Sequence, residues 1–289
     1  MSRPTLVLVL SAALSLGSVP GAGWAQATPP GGTAVRPEIQ RLVETMLMPE
    51  VAAVMRDEGL AHGETLEADM FPGRGGAAWA ADVARIYDAD RMLERFTARL
   101  DRELADDGAA VAEMQAFFSG DLGARILALE LEARRALADE ATEEAANIAV
   151  EDMIASQDPR MEVLRALAEA SDLVEQNVTS ALNANLAFYR GMAEGGGLGD
   201  ALDEEAMLSD VWSQEPQVRA ETERWLYSYM ALAYAPLSDA DLEAYRVFSE
   251  GRAGQVMTAA LFAAFDETFV QISRELGRAA ARQIQGQEL

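Results

Sequence analysis

Apolar side chains recur along this chain at helical spacing. Val218, Thr222, Trp225, Tyr229 and Leu232 step by 4, 3, 4 and 3 residues, and Leu93, Phe96, Leu100 and Leu104 by 3, 4 and 4. Val174, Val178, Ala181, Asn185, Phe188 and Met192 do the same, and Leu261, Phe265, Phe269, Ile272 and Leu276 repeat it near the C-terminus. A helix gathers such positions on one face, whereas a half-buried strand alternates with period two, and no comparable stretch does so. The pattern predicts an all-α protein. Asp158-Pro159 reads as a capping acid before a first-turn proline, and Ser238-x-x-Asp241 as a capping hydroxyl three residues ahead of an acid. Pro72–Gly76 and Gly195–Gly199 read as loops, and Pro49 should kink or divide its helix.

Ahead of the helical region, Arg3 precedes an apolar run from Leu6 to Leu16 and a small-residue stretch ending Ala25-Gln26-Ala27. This order predicts a secretory signal over residues 1–27, cut after Ala27 at an A-x-A site made by Ala25 and Ala27. The run is shorter than the roughly 20 apolar residues that span a bilayer, so no integral span should remain after cleavage. Residues 28–35 (TPPGGTAV) follow as a Pro/Gly linker. The expected location is periplasmic or secreted.

The helical region also repeats itself. Leu42-Val43-Glu44 recurs as Leu173-Val174-Glu175, and Gly59-x-Ala61-x-Gly63 as Gly191-x-Ala193-x-Gly195. Trp79 pairs with Trp212, Arg85 with Arg219, and Phe117, Gly120 and Gly123 with Phe248, Gly251 and Gly254. The five matches keep their order, and their offsets run only from 131 to 134. Such self-similarity points to duplication. It predicts two tandem helical-bundle units of about four helices each, residues 36–157 and 158–289.

The most specific repeated element is an aliphatic residue, then, six positions on, an aromatic followed by G-x-x-G. One copy reads Asp241-Leu242, then Phe248-Ser249-Glu250-Gly251-Arg252-Ala253-Gly254, and the other Ala110-Val111, then Phe117-Phe118-Ser119-Gly120-Asp121-Leu122-Gly123. This resembles the bacterial periplasmic domain-of-unknown-function family 2059, whose members carry a segment ending in Phe-Tyr-x-Ser-x-x-Gly. Leu242, Phe248 and Gly254 match that pattern, as do Val111, Phe117 and Gly123; Phe118 or Ser249 stands at the tyrosine, and Gly120 or Gly251 at the serine. The resemblance implies a periplasmic, helical domain and carries no activity. Physically the motif reads as a joint: Phe248 anchors a helix end in the core, Gly251 takes a left-handed cap, and Gly254 lets the next helix approach closely. The alternative is an anion held at the start of that next helix.

Composition removes several chemistries. The 289 residues hold 23 Arg, no Lys, no Cys and one His against 48 acids, a net charge of −25. Schiff-base and phosphate-loop lysines, thiol catalysis, disulfides and cysteine-bound metals are excluded, and one His cannot build a multi-histidine site. Without residues 1–27 the charge becomes −26, a surface that repels nucleic acid and anionic lipid. With half of its residues hydrophobic, that acidity belongs to a folded surface.

No catalytic, cofactor-binding or metal-ligating set emerges. His62, beside Glu64, Glu67 and Asp69, reads as a histidine of a surface loop. Asp203–Glu205, Glu140 with Glu143 and Glu144, and Asp239 with Asp241 and Glu243 lack calcium-loop spacing and read as solvated acidic faces, the first and last at helix first turns. Trp225 and Tyr229 should be core, with Tyr227 and Tyr234 projecting elsewhere on a helix buried on two sides.

The resulting expectation is a non-catalytic binding or interaction protein of the cell envelope, taking a protein or an apolar ligand as partner, without cofactor. The alternatives are an envelope hydrolase working with paired carboxylates, which needs two acids facing across a cleft at about 5–10 Å with one pKa raised by burial, and a purely structural envelope protein.

Overall fold

The computed structural model describes residues 35–198 and 203–286. The predicted signal, with Ala25 and Ala27, and the linker up to Ala34 lie outside the described residues. All regular structure within them is helical: α1 Pro37–Thr45, α2 Met48–Met70, α3 Gly76–Ile86, α4 Ala89–Glu103, α5 Gly108–Phe118, α6 Asp121–Ala136, α7 Glu140–Ala155, α8 Pro159–Ala170, α9 Leu173–Glu194, α10 Glu204–Ser213, α11 Glu215–Tyr234, α12 Asp239–Glu250 and α13 Arg252–Gln285. None is long and apolar enough to cross a membrane.

The predicted punctuation holds where its chemistry is local. Asp158 accepts the Arg160 amide at 2.8 Å ahead of Pro159. Ser238 and Asp241 form a reciprocal capping box at the start of α12, and Pro49 lies in the first turn of α2, after a break at Met46–Leu47. Helices are nevertheless more numerous than the predicted four per segment: α1 to α7 precede residue 158 and α8 to α13 follow it. Some breaks carry no Gly or Pro. Leu47 (φ 56°) between α1 and α2 and Asp172 (φ 45°) between α8 and α9 turn the chain through one left-handed residue each, a conformation their side chains disfavour and sequence pattern does not mark.

The 34-residue α13 is the spine. Its most extensive partner is α9, which it meets through small residues: a Cβ on Gly277 would lie 2.8 Å from the Met192 amide nitrogen, and one on Gly195 2.5 Å from the Ala281 methyl. The same helix packs on α3, α4 and α5, so the main buried cluster joins Ile39, Trp79, Phe96 and Met114 to Leu261, Phe265 and Ile272. A second cluster gathers Leu164, Leu226, Tyr234 and Leu242 around Ile126. Pairings recur along the chain: α1 packs on α2, α4 and α5 as α8 packs on α9, α11 and α12, and α2 packs on α3 and α4 as α9 packs on α10 and α11. Between the halves, α13 lies on α4 and α6 lies on α11.

Candidate functional site

The Phe/Gly motif forms the same joint twice. Gly120 (φ −79°, ψ 161°) and Gly251 (φ −68°, ψ 162°) are the extended N-cap residues of α6 and α13. The expected left-handed cap at Gly251 is therefore corrected: the chain turns by starting a new helix rather than by closing the old one. A Cβ on Gly123 would lie 2.7 Å from Phe118 Cα, and one on Gly254 2.6 Å from Ser249 Cα, so both glycines admit the preceding backbone. Phe117 and Phe248 are half-buried and stack on each other, centroids 3.9 Å apart and planes within 10°. Phe118 meets Phe248 edge-on at 5.5 Å. The glycines shape each joint locally, and the Phe117–Phe248 and Phe118–Phe248 ring contacts join one joint to the other.

Other repeated pairs occupy dissimilar places. Leu42–Glu44 end α1 whereas Leu173–Glu175 begin α9. Trp79 is buried, donating to the Gly63 carbonyl at 2.9 Å, while Trp212 is 65% exposed. Gly59 and Gly63 are helical and face Tyr87 and Val83, which moves His62 from the expected loop to a half-buried position on α2. Burial lowers its pKa. Asp203 and Ser238 cap α10 and α12, and among the described residues no three acids or histidines converge on a metal-sized site. Tyr234, expected on a second face of a helix buried on two sides, is fully buried, and α11 is covered by α6 and α7 as well as α9.

What Tyr234 points at is the first of two notable sites. Its hydroxyl donates to Glu130 Oε1 at 2.6 Å, the Tyr245 hydroxyl to the same oxygen at 3.3 Å, and the Tyr229 hydroxyl to the Glu130 carbonyl at 3.2 Å. Burial lifts the Glu130 pKa to about 7 against the opposing pull of the Tyr234 and Tyr245 hydrogen bonds. One turn on, buried Arg134 holds Glu58 bidentately, Nε to Oε1 at 2.9 Å and Nη2 to Oε2 at 2.8 Å. Burial works against the Arg134 charge, and Glu58 outweighs it. Glu130, Arg134, Tyr245, Phe118 and the α1–α2 elbow at Leu47 line a cavity of about 40 Å³, room for two or three waters at the ~10–15 Å³ each needs.

The second site is open. Arg85 at the end of α3, Arg91 in the first turn of α4, and Gln271, Glu275, Arg278 and Arg282 along one stripe of α13 line a cleft of about 320 Å³. Glu275 is the one acid among the described residues that line it, accepting from Arg95 at 2.8 Å and Gln271 at 3.2 Å. Burial alone would raise the Glu275 pKa, but Arg95, Gln271 and Arg91 hold it below the ordinary range. Asp82 ties Arg85 (2.8 Å) and Arg282 (2.9 Å) at the rim, and Glu194 pairs with Arg274 and Arg278. Among the described residues, four arginines line the cleft and Arg95 and Arg274 stand beside it, against Glu275, Asp82 and Glu194, whereas acids outnumber arginines more than twofold over the sequence.

Neither site was found from sequence. Glu130 and Arg134 extend the i, i+4 steps of Ile126 on α6, a face that is apolar before them, and charges inside an apolar stripe were the available signal. The cleft joins the consecutive helices α3 and α4 to α13, which lies far along the chain. No family model, curated protein or solved structure matches this chain.

Proposed function

We propose that this chain is a non-catalytic binding protein of the cell envelope, exported behind residues 1–27 and built from two copies of one helical unit, 36–157 and 158–289, akin to family 2059. The observation that carries the binding reading is the make-up of the two concavities. The interior one admits only a few waters and presents one carboxylate, Glu130, with no second acid in its lining. The open one is lined by guanidinium donors, which recognise anions and perform no acid–base chemistry at neutral pH. That favours an anionic ligand over the apolar one anticipated above, since the apolar cavity around Met55, Met92 and Phe96 measures about 10 Å³.

The duplication is supported by the paired packing of α1–α6 and α8–α13, by the left-handed residue at each first elbow, and by the Phe117–Phe248 stack, which joins a residue to its counterpart 131 positions on. At the same offset, Leu261 and Phe265 stand where Glu130 and Arg134 stand on α6. The acid-pair hydrolase keeps one observation in its favour, the raised pKa of Glu130, and lacks the partner carboxylate that mechanism requires. The deciding experiment incubates purified mature protein with envelope glycans and with a panel of neutral and anionic small molecules. Ligands bound and recovered intact support the reading; cleavage abolished by Glu130→Gln refutes it.

A further inference from the structure

We infer that the cleft between α3, α4 and α13 is a binding site for a small soluble oxyanion carrying two or more negative charges. This rests on the binding reading above and specifies its ligand. Exposed arginine–acid pairs add little stability on their own. Here Arg85, Arg91, Arg95, Arg274, Arg278 and Arg282 exceed Asp82, Glu194 and Glu275 by three charges, on a chain of net charge −25. Arg91 Nη1 donates to the Arg85 carbonyl at 2.7 Å and so closes the end of α3; the remaining excess repels itself unless a counter-anion enters.

Donors are available for that anion. Arg85 Nη1 and Arg91 Nη2 stand 3.6 and 3.5 Å from Glu275 Oε2, close enough to feel its charge and too far for a good hydrogen bond. Arg282 gives one N–H to Asp82 and has five in all. Beneath them, Arg95 Nη1 is buried without a hydrogen-bond partner. A cleft of about 320 Å³ lies at the small end of ligand sites, about 300–1,000 Å³. Glu275 is the resident carboxylate, holding Arg85, Arg91 and Arg95 together in the absence of ligand and competing with it. Phosphate esters and polycarboxylates share the chemistry that arginine forks recognise; the surrounding acidic surface selects soluble anions over an anionic membrane.

The test is calorimetric titration of the mature full chain at low ionic strength with inorganic phosphate, pyrophosphate, citrate and acetate, together with co-sedimentation on vesicles containing phosphatidic acid. Saturable binding of pyrophosphate or citrate that weakens with salt, without binding of acetate or vesicles, is expected; which of the two binds tighter assigns the phosphate or carboxylate class. Arg278→Gln with Arg282→Gln should weaken binding at least tenfold, a loss of charge-assisted contacts. Glu275→Gln should tighten it at least fivefold, a gain that misfolding cannot imitate. Equal response to acetate and pyrophosphate, binding to vesicles alone, or oxyanion binding indifferent to Glu275→Gln overturns the assignment. Neutral ligands bound intact with oxyanions ignored would leave the binding reading standing and remove only this site.

Discussion

Glu130 makes the stability of this protein depend on pH in a direction that can be worked out. Its carboxyl is enclosed by Tyr234, Tyr245 and Tyr229, with the Arg134–Glu58 pair one turn away, and its pKa rises from 4.5 to about 7. Below pH 4.5 the group is protonated in both folded and unfolded chains and contributes no difference. Between there and about 7 the unfolded chain releases the proton while the folded chain keeps it, so stability falls as pH rises. At 1.36 kcal/mol per unit, the fall totals about 3 kcal/mol and is complete once pH exceeds the folded value. Glu130→Gln removes the titration while keeping an acceptor for Tyr234. Urea unfolding followed by circular dichroism, from about pH 4 to 8, should show the variant gaining about 3 kcal/mol on the wild type across that window. Taking the difference cancels the opposite trend from Asp82, Glu175, Glu194 and Glu275, whose pKa values arginines depress and whose contributions are lost on acidification. A difference independent of pH would refute the account of Glu130.

Three further outcomes follow from the packing. Gly123→Val or Gly254→Val forces a side chain into the backbone of the preceding helix and should cost at least the ~1–3 kcal/mol of overpacking, read as a lower melting temperature; unchanged stability would remove the joint. A double-mutant cycle on Phe117→Ala and Phe248→Ala should return a coupling of about 0.5–1.5 kcal/mol, and additivity would mean the stack holds nothing together. Glu58→Gln strands the buried Arg134 charge and should cost about 3–5 kcal/mol in chemical unfolding, whereas Glu58→Gln with Arg134→Met should recover much of it. A double variant as unstable as the single one would show that the pair's packing, not its charge, matters.

Helical class, the capping residues and the close approach of backbone at Gly254 are legible because each is written within a few consecutive residues, whereas Gly251 is extended where a left-handed cap was expected. The elbows at Leu47 and Asp172 are not legible, since their left-handed conformation is imposed by packing on residues that do not favour it. His62 was misplaced for a related reason: Gly59 and Gly63 look like loop residues, but on α2 they make room for Tyr87 and Val83. The candidate sites escaped because each assembles from distant segments. Arg85 and Arg282 meet through Asp82 across nearly 200 positions, and Tyr234 and Glu130 across 104. Periodicity says which face of a helix is apolar, and says nothing about which charged faces will meet.

The length of α13 has a bearing on how the chain acquires its fold. At about 1.5 Å per residue its 34 residues extend roughly 50 Å, and they supply one wall of the core for α3, α4, α5 and α9 alike. Because α13 follows in the chain every helix it packs on, those earlier helices present an unfilled apolar wall until it has been made. The core therefore closes with the docking of a single segment whose contacts reach back to α3. Contacts of such span slow folding. A chain of this design completes its core only when that one helix docks.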